Sequence, residues 1–176
     1  DALVGLGFAT QLLFLLMVFM MGLTVGTVAQ VARAFGAGQH DRVVHLLRQS
    51  SQLTLLVGVG VAVSGNLLAG PMLWALGAEG AARVAAEAYL RPLLWASVFS
   101  YLNILYAGVL RGVGNTRLAL FVAVMVNLIN VGLNYGLILG NWGMPALGVQ
   151  GAAYGTACAQ AAGAILMAGL LVRGVV

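Results

Sequence analysis

Long apolar stretches broken by short charged ones organise this chain. No Asp, Glu, Lys or Arg occurs from Ala2 to Ala32, from Gln49 to Ala78, from Pro92 to Leu110, or from Leu118 to Val172. A helix needs roughly 20 mostly apolar residues to cross the ~30 Å hydrocarbon core of a bilayer. The first three stretches therefore hold one span each, and the last holds two spans and a connection. The pattern predicts an all-α, polytopic membrane protein with transmembrane helices over about 2–31, 42–70, 82–110, 117–139 and 149–172.

Turn signals fall between these helices. Two glycines and a charge cluster mark Phe35–Arg42, and Asp41 precedes a second helix whose first turns carry Arg42, His45, Arg48 and Gln49. Gly70-Pro71 is expected to end that helix, because proline lacks the N–H that would continue it. The third helix opens with Arg83, Glu87 and Arg91 at successive spacings of four, which suits an interface-level ion cluster, and Pro92 is expected to kink it. Asn115 or Thr116 suits the N-cap of the fourth helix, and Gly140–Gly148 forms the next turn with Trp142 at interface depth.

Composition agrees with the pattern and removes several function classes. Hydrophobic residues make up 62% of the chain and charged ones 7%, against roughly 45–50% and about 25% in an ordinary soluble domain. Lys is absent, so no phosphate-cradling P-loop lysine exists. The net charge of +4 comes from arginines at the ends of apolar segments, with no aromatic-interleaved basic patch, so no nucleic-acid partner is expected. Cys158 stands alone, and His40 and His45 have no convergent carboxylate or thiol, so neither a disulfide nor a metal site is expected. No nucleophile, base and orienting group come together in the pattern, so no catalytic residue, enzyme activity or cofactor is expected.

Arginine placement sets an orientation. With alternating helices, Arg33, Arg42, Arg48, Arg111, Arg117 and Arg173 share one side, and Arg83 and Arg91 fall on the other with Glu79 and Glu87. The positive-inside rule then puts loops 33–48 and 111–117 and the C-terminus in the cytoplasm. The start at Asp1 without Met reads as a fragment or mature segment, and an outside start with an odd helix count implies a preceding helix. Small-residue pairs four apart, Gly22/Gly26, Gly108/Gly112, Gly132/Gly136/Gly140 and Gly151/Gly155, suit close helix packing.

The polar residues inside the spans carry the candidate chemistry. Asn127, Asn130 and Asn134 follow one face of the fourth helix, and Thr156 and Gln160 form an i, i+4 pair on the fifth. Such groups are costly toward lipid and should face the bundle or a watery cavity. Two readings stand: hydrogen bonds that hold helices together, or a cavity that coordinates a cation or contacts substrate. No Asp or Glu lies in the middle of a span, so these residues offer no buried carboxylate to carry a proton.

Five stretches, in order, carry a family resemblance. Val28-Ala-Gln-Val-Ala-Arg-Ala-Phe-Gly-Ala-Gly-Gln-His-Asp-Arg42 resembles the loop between the second and third helices of the MATE (multidrug and toxic compound extrusion) family, commonly written VAQxxGAGD. Ala88-Tyr-Leu-Arg-Pro-Leu-Leu-Trp95 resembles the entry to that family's fourth helix, and Leu110-Arg-Gly-Val-Gly-Asn-Thr-Arg117 its LRGxGxTR loop. Asn127-Leu-Ile-Asn-Val-Gly-Leu-Asn-Tyr135 resembles the fifth helix, and Gly143-Met-Pro-Ala-Leu-Gly-Val-Gln-Gly-Ala-Ala-Tyr-Gly-Thr156 the sixth.

The resemblance implies the second through sixth helices of a six-helix amino-terminal lobe, in the NorM-like branch. Its implied partners are the lipid bilayer, the lobe's first helix, and a second lobe across a central cavity. The implied activity is secondary active efflux of cationic or amphipathic drugs across the cell inner membrane, in exchange for H⁺ or Na⁺. The family's Asn-x-x-x-Asp/Asn pair falls on Asn130 and Asn134, and a Thr early in its sixth helix on Thr156. Asn134 replaces the carboxylate of other members, and the family's central Asp on its first helix lies outside the chain. The alternatives are a flippase for lipid-linked saccharides, which should carry cavity-facing cations that are missing mid-span here, and a non-transporting structural membrane subunit.

Overall fold

A computed structural model describes residue 18 and residues 21–75, 77 and 80–173. Residues 21–36 are helical (α1) and are followed by α2 (His40–Ala75), α3 (Gly80–Gly112), α4 (Thr116–Leu139) and α5 (Val149–Val172). A short 3-10 turn, Asn141–Gly143, follows α4. Most of the expected first span, 2–31, lies outside the described residues. The other four helices are each long and apolar enough to cross a membrane, and the chain is a multi-pass membrane protein.

The boundaries show which local signals won. α1 continues past the expected end at residue 31, and the chain turns at Gly38, whose φ of +69° is cheap only for glycine. The amides of Gly38 and Gln39 close that turn onto the carbonyls of Phe35 and Ala34. Asn115 is the N-cap of α4, its side chain accepting from the Leu118 amide at 3.3 Å.

α2 differs from the expectation that Gly70-Pro71 would end it. The helix runs through Pro71 to Ala75. Proline removes one backbone bond, the one to the carbonyl four residues back, and one further turn needs no more than that. Gly70 is fully packed there, so close to α3 that a Cβ on it would lie 3.2 Å from Arg83 Nη2. At 36 residues α2 is about 54 Å long, well beyond the bilayer core. Its polar first turns with Arg42, His45 and Arg48 are exposed, as an overhang into water requires.

α3 packs against α2 on one side and α5 on the other, and α4 packs mainly on α5. The glycine pairs explain part of this closeness. A Cβ on Gly108 would press on Thr24 and Val28 of α1, one on Gly112 on Val28, and one on Gly151 would collide with the Leu137 carbonyl of α4. The expected Gly132/Gly136/Gly140 seam does not meet a helix. Gly136 instead admits Met144 and Trp142, Gly140 admits Ala146, and Gly132 has open space.

The buried apolar cluster gathers Val31, Ala34, Val43, Leu105, Tyr106, Val109, Leu110, Ala119, Val122, Met167 and Leu171. These are the residues nearest the α1–α2 and α3–α4 turns and the end of α5. The exposed Arg33, Arg42, Arg48, Arg111, Arg117 and Arg173 therefore collect at that end of the bundle. On the opposite side, Glu87 takes Arg83 Nε at 3.1 Å and Arg91 Nη2 at 2.9 Å.

Candidate functional site

α4 and α5 run antiparallel, and their polar residues meet where the backbones are closest. Asn134 Nδ2 donates to Asn130 Oδ1 at 3.2 Å, and Asn130 Nδ2 donates to Thr156 Oγ1 at 3.1 Å. The Thr156 hydroxyl donates to the Ala152 carbonyl at 2.9 Å. Every bond points the same way, so the chain has one unsatisfied end. That end is Asn134 Oδ1, a buried acceptor with no donor among the described residues. A buried carbonyl oxygen without a donor costs on the order of 1–3 kcal/mol unless a ligand, cation or water supplies one.

Gln160, one turn along α5, belongs to a second junction. Asn103 of α3 donates through Nδ2 to the Gln160 backbone carbonyl at 2.9 Å and to its Oε1 at 2.7 Å. Asn103 Oδ1 is likewise buried without a donor among the described residues. Gly163 allows this approach, since a Cβ there would lie 3.2 Å from both polar atoms of the Asn103 carboxamide. Sequence reasoning missed Asn103. It is a single amide between Leu102 and Ile104, with Ser100 and Tyr106 but no second amide one turn away on its own helix to draw notice.

Asn127 lies apart from both junctions. It is exposed, and its Nδ2 donates to the Ala123 carbonyl of its own helix at 2.8 Å. The stripe of α4 that meets α5 runs through Leu137, Asn134, Asn130 and Val126. Val126, not Asn127, fills the notch at Gly163.

The site has the chemistry of neutral oxygen acceptors. Two bare carboxamide oxygens, Asn134 Oδ1 and Asn103 Oδ1, belong to networks joined by the Thr156–Gln160 turn of α5. Such oxygens take hard cations or N–H donors. No group of three or more His, Cys, Asp or Glu that could hold a metal occurs among the described residues.

Comparison with known proteins agrees with this architecture. The sequence model of the MatE family matches residues 1–136. The probable multidrug resistance protein YoeA of Bacillus subtilis is 32% identical over 89% of this chain and 34% of its own length. The probable multidrug resistance protein NorM of Thermotoga maritima is 29% identical over 93% of this chain and 35% of its own. The crystal structure of MATE in complex with MaL6 superposes with a TM-score of 0.81 at 26% identity, over 98% of this chain and 38% of that one. The chain thus spans about a third of the length of the curated relatives it matches. With the family model covering most of the sequence, the chain belongs to the MatE family.

Proposed function

We propose that these helices are the second through sixth of the amino-terminal lobe of a secondary active exporter. In this reading the whole protein moves drugs or organic cations out across the cell inner membrane in exchange for H⁺ or Na⁺, with loops 33–48 and 111–117 and the C-terminus cytoplasmic. The reading rests first on the one-directional chain Asn134–Asn130–Thr156, which ends in a bare carbonyl oxygen inside a membrane bundle. A protonated amine or a coupling cation that reached this buried acceptor would supply its missing partner.

Binding there drives transport only if affinity differs between the inward- and outward-open states. Asn134 can meet that need, because its carboxamide packs on Gly155 at the α4–α5 contact, and the geometry of that contact sets the accessibility of the oxygen. The curated relatives are named as multidrug resistance proteins, which favours drug-like cargo over a lipid-linked saccharide.

The test is accumulation of a fluorescent organic cation in efflux-deficient bacteria expressing the full-length protein. Asn130→Leu and Asn134→Leu are expected to reduce efflux roughly 3- to 15-fold, the equivalent of one to two lost intramembrane hydrogen bonds. Membrane expression should persist. Normal efflux by both variants would overturn the cavity role, and loss of both from the membrane would assign these residues to folding alone.

A further inference from the structure

At the arginine-rich end, α4 and α5 leave an open cleft of about 390 Å³. Leu118, Phe121 and Leu170 give it apolar walls, and Asn115 and Arg117 stand at its rim. Phe121 is 55% exposed, so the described helices leave most of an aromatic face uncovered. Arg117 is exposed, and no ion pair involves it among the described residues. Arg173 lies three residues beyond Leu170, on the same side of α5 and one turn nearer the end, and it too is exposed without an ion pair among the described residues. Neither of the described carboxylates lines the cleft. Asp41 is at the start of α2, and Glu87 is held by two arginines at the opposite end.

Arg117 therefore lines an apolar slot in a membrane-spanning bundle, with Arg173 one turn beyond its Leu170 wall, and neither has a counter-charge paired to it among the described residues. A free inorganic anion would answer the charge and leave Phe121 and Leu170 bare. A neutral lipid or an apolar helix would cover the slot and leave the charge unanswered. One chemistry answers both, an anionic headgroup joined to hydrocarbon, and basic pockets between membrane helices on the positive side recognise such lipids.

We propose that this cleft binds one anionic glycerophospholipid. Its phosphodiester lies against Arg117 and Arg173, the Asn115 amide donates at the rim, and the first part of an acyl chain lies along Phe121 and Leu170. The proposal rests on the bundle being in a membrane and not on the identity of any cargo, so its test is read by binding and not by transport.

The experiment is native mass spectrometry of the full-length protein in detergent, titrated with dioleoylphosphatidylglycerol or dioleoylphosphatidylcholine. The parent should retain phosphatidylglycerol roughly 30-fold more tightly, as two interface arginines imply. Arg117→Gln with Arg173→Gln should bring the two lipids near parity. Arg48→Gln, the same loss of charge at the arginine-rich end but on α2, which packs on neither α4 nor α5, should leave the preference intact. Phe121→Ala should weaken retention of phosphatidylglycerol, and millimolar inorganic phosphate should displace none of it. Equal retention by the parent, a preference that survives the double substitution, or an equal loss in Arg48→Gln would overturn the site. Displacement by inorganic phosphate would reduce it to an anion site without a lipid.

Discussion

The carboxamide of Asn134 occupies the space that a Cβ on Gly155 would fill. The open end of the α4–α5 hydrogen-bond chain is therefore held in place by the absence of a side chain on the facing helix. Gly155→Ala is expected to push Asn134 off Asn130, destabilise the protein by roughly 1–3 kcal/mol through overpacking, and reduce efflux with it. Gly169→Ala meets no atom within 4 Å and should be neutral or stabilising by up to about 1 kcal/mol. Thermal midpoints of the two detergent-solubilised variants make the comparison. Equal midpoints would contradict the packing described for Gly155.

The Asn103–Gln160 pair ties α3 to α5 across 57 positions of sequence. Asn103→Leu strips Gln160 Oε1 of its donor, and Gln160→Leu strips Asn103 of its side-chain acceptor while leaving the Gln160 backbone carbonyl. A double-mutant cycle on stability should give a coupling of roughly 0.5–1.5 kcal/mol, the range of hydrogen bonds between membrane helices. A coupling indistinguishable from zero would mean that the bond does not form in the folded protein.

The helices were legible because charge-free runs of membrane length leave little else for the chain to be, and α4 and α5 fall within a residue of their expected limits. Pro71 misled the reading of α2 because a proline near a helix end costs one bond, which the packing of Gly70 on α3 outweighs. In the site, Asn130, Asn134 and Thr156 were legible from spacing, since residues one turn apart on a helix reach the same neighbour. Asn127 fits the same wheel, but the α4–α5 contact line passes through Val126 at that level. Spacing along one helix carries no information about where the partner crosses it. Asn103 was invisible for the same reason, since its significance lies wholly in a residue on another helix.

Orientation is checked by single-cysteine labelling in the full-length protein with Cys158→Ala. Gln39 and Pro145 are both exposed, in turns at opposite ends of the bundle. The arginine asymmetry predicts that a membrane-impermeant thiol reagent added outside modifies Pro145→Cys and spares Gln39→Cys. The reverse pattern would invert the topology and move the proposed lipid cleft to the outer leaflet.

The central claim is that Asn134, Asn130 and Thr156 lie on an ion-coupled transport path that these helices form only as part of the whole transporter. The most direct measurement is uptake of a fluorescent organic cation into proteoliposomes under an imposed H⁺ or Na⁺ gradient. It compares the full-length protein, its Asn134→Leu variant at matched incorporation, and residues 1–176 alone. The account predicts gradient-driven uptake by the full-length protein, a roughly 3- to 15-fold slower rate for the variant, and none for residues 1–176. Full-rate uptake by Asn134→Leu, or gradient-driven uptake by residues 1–176 alone, would contradict it.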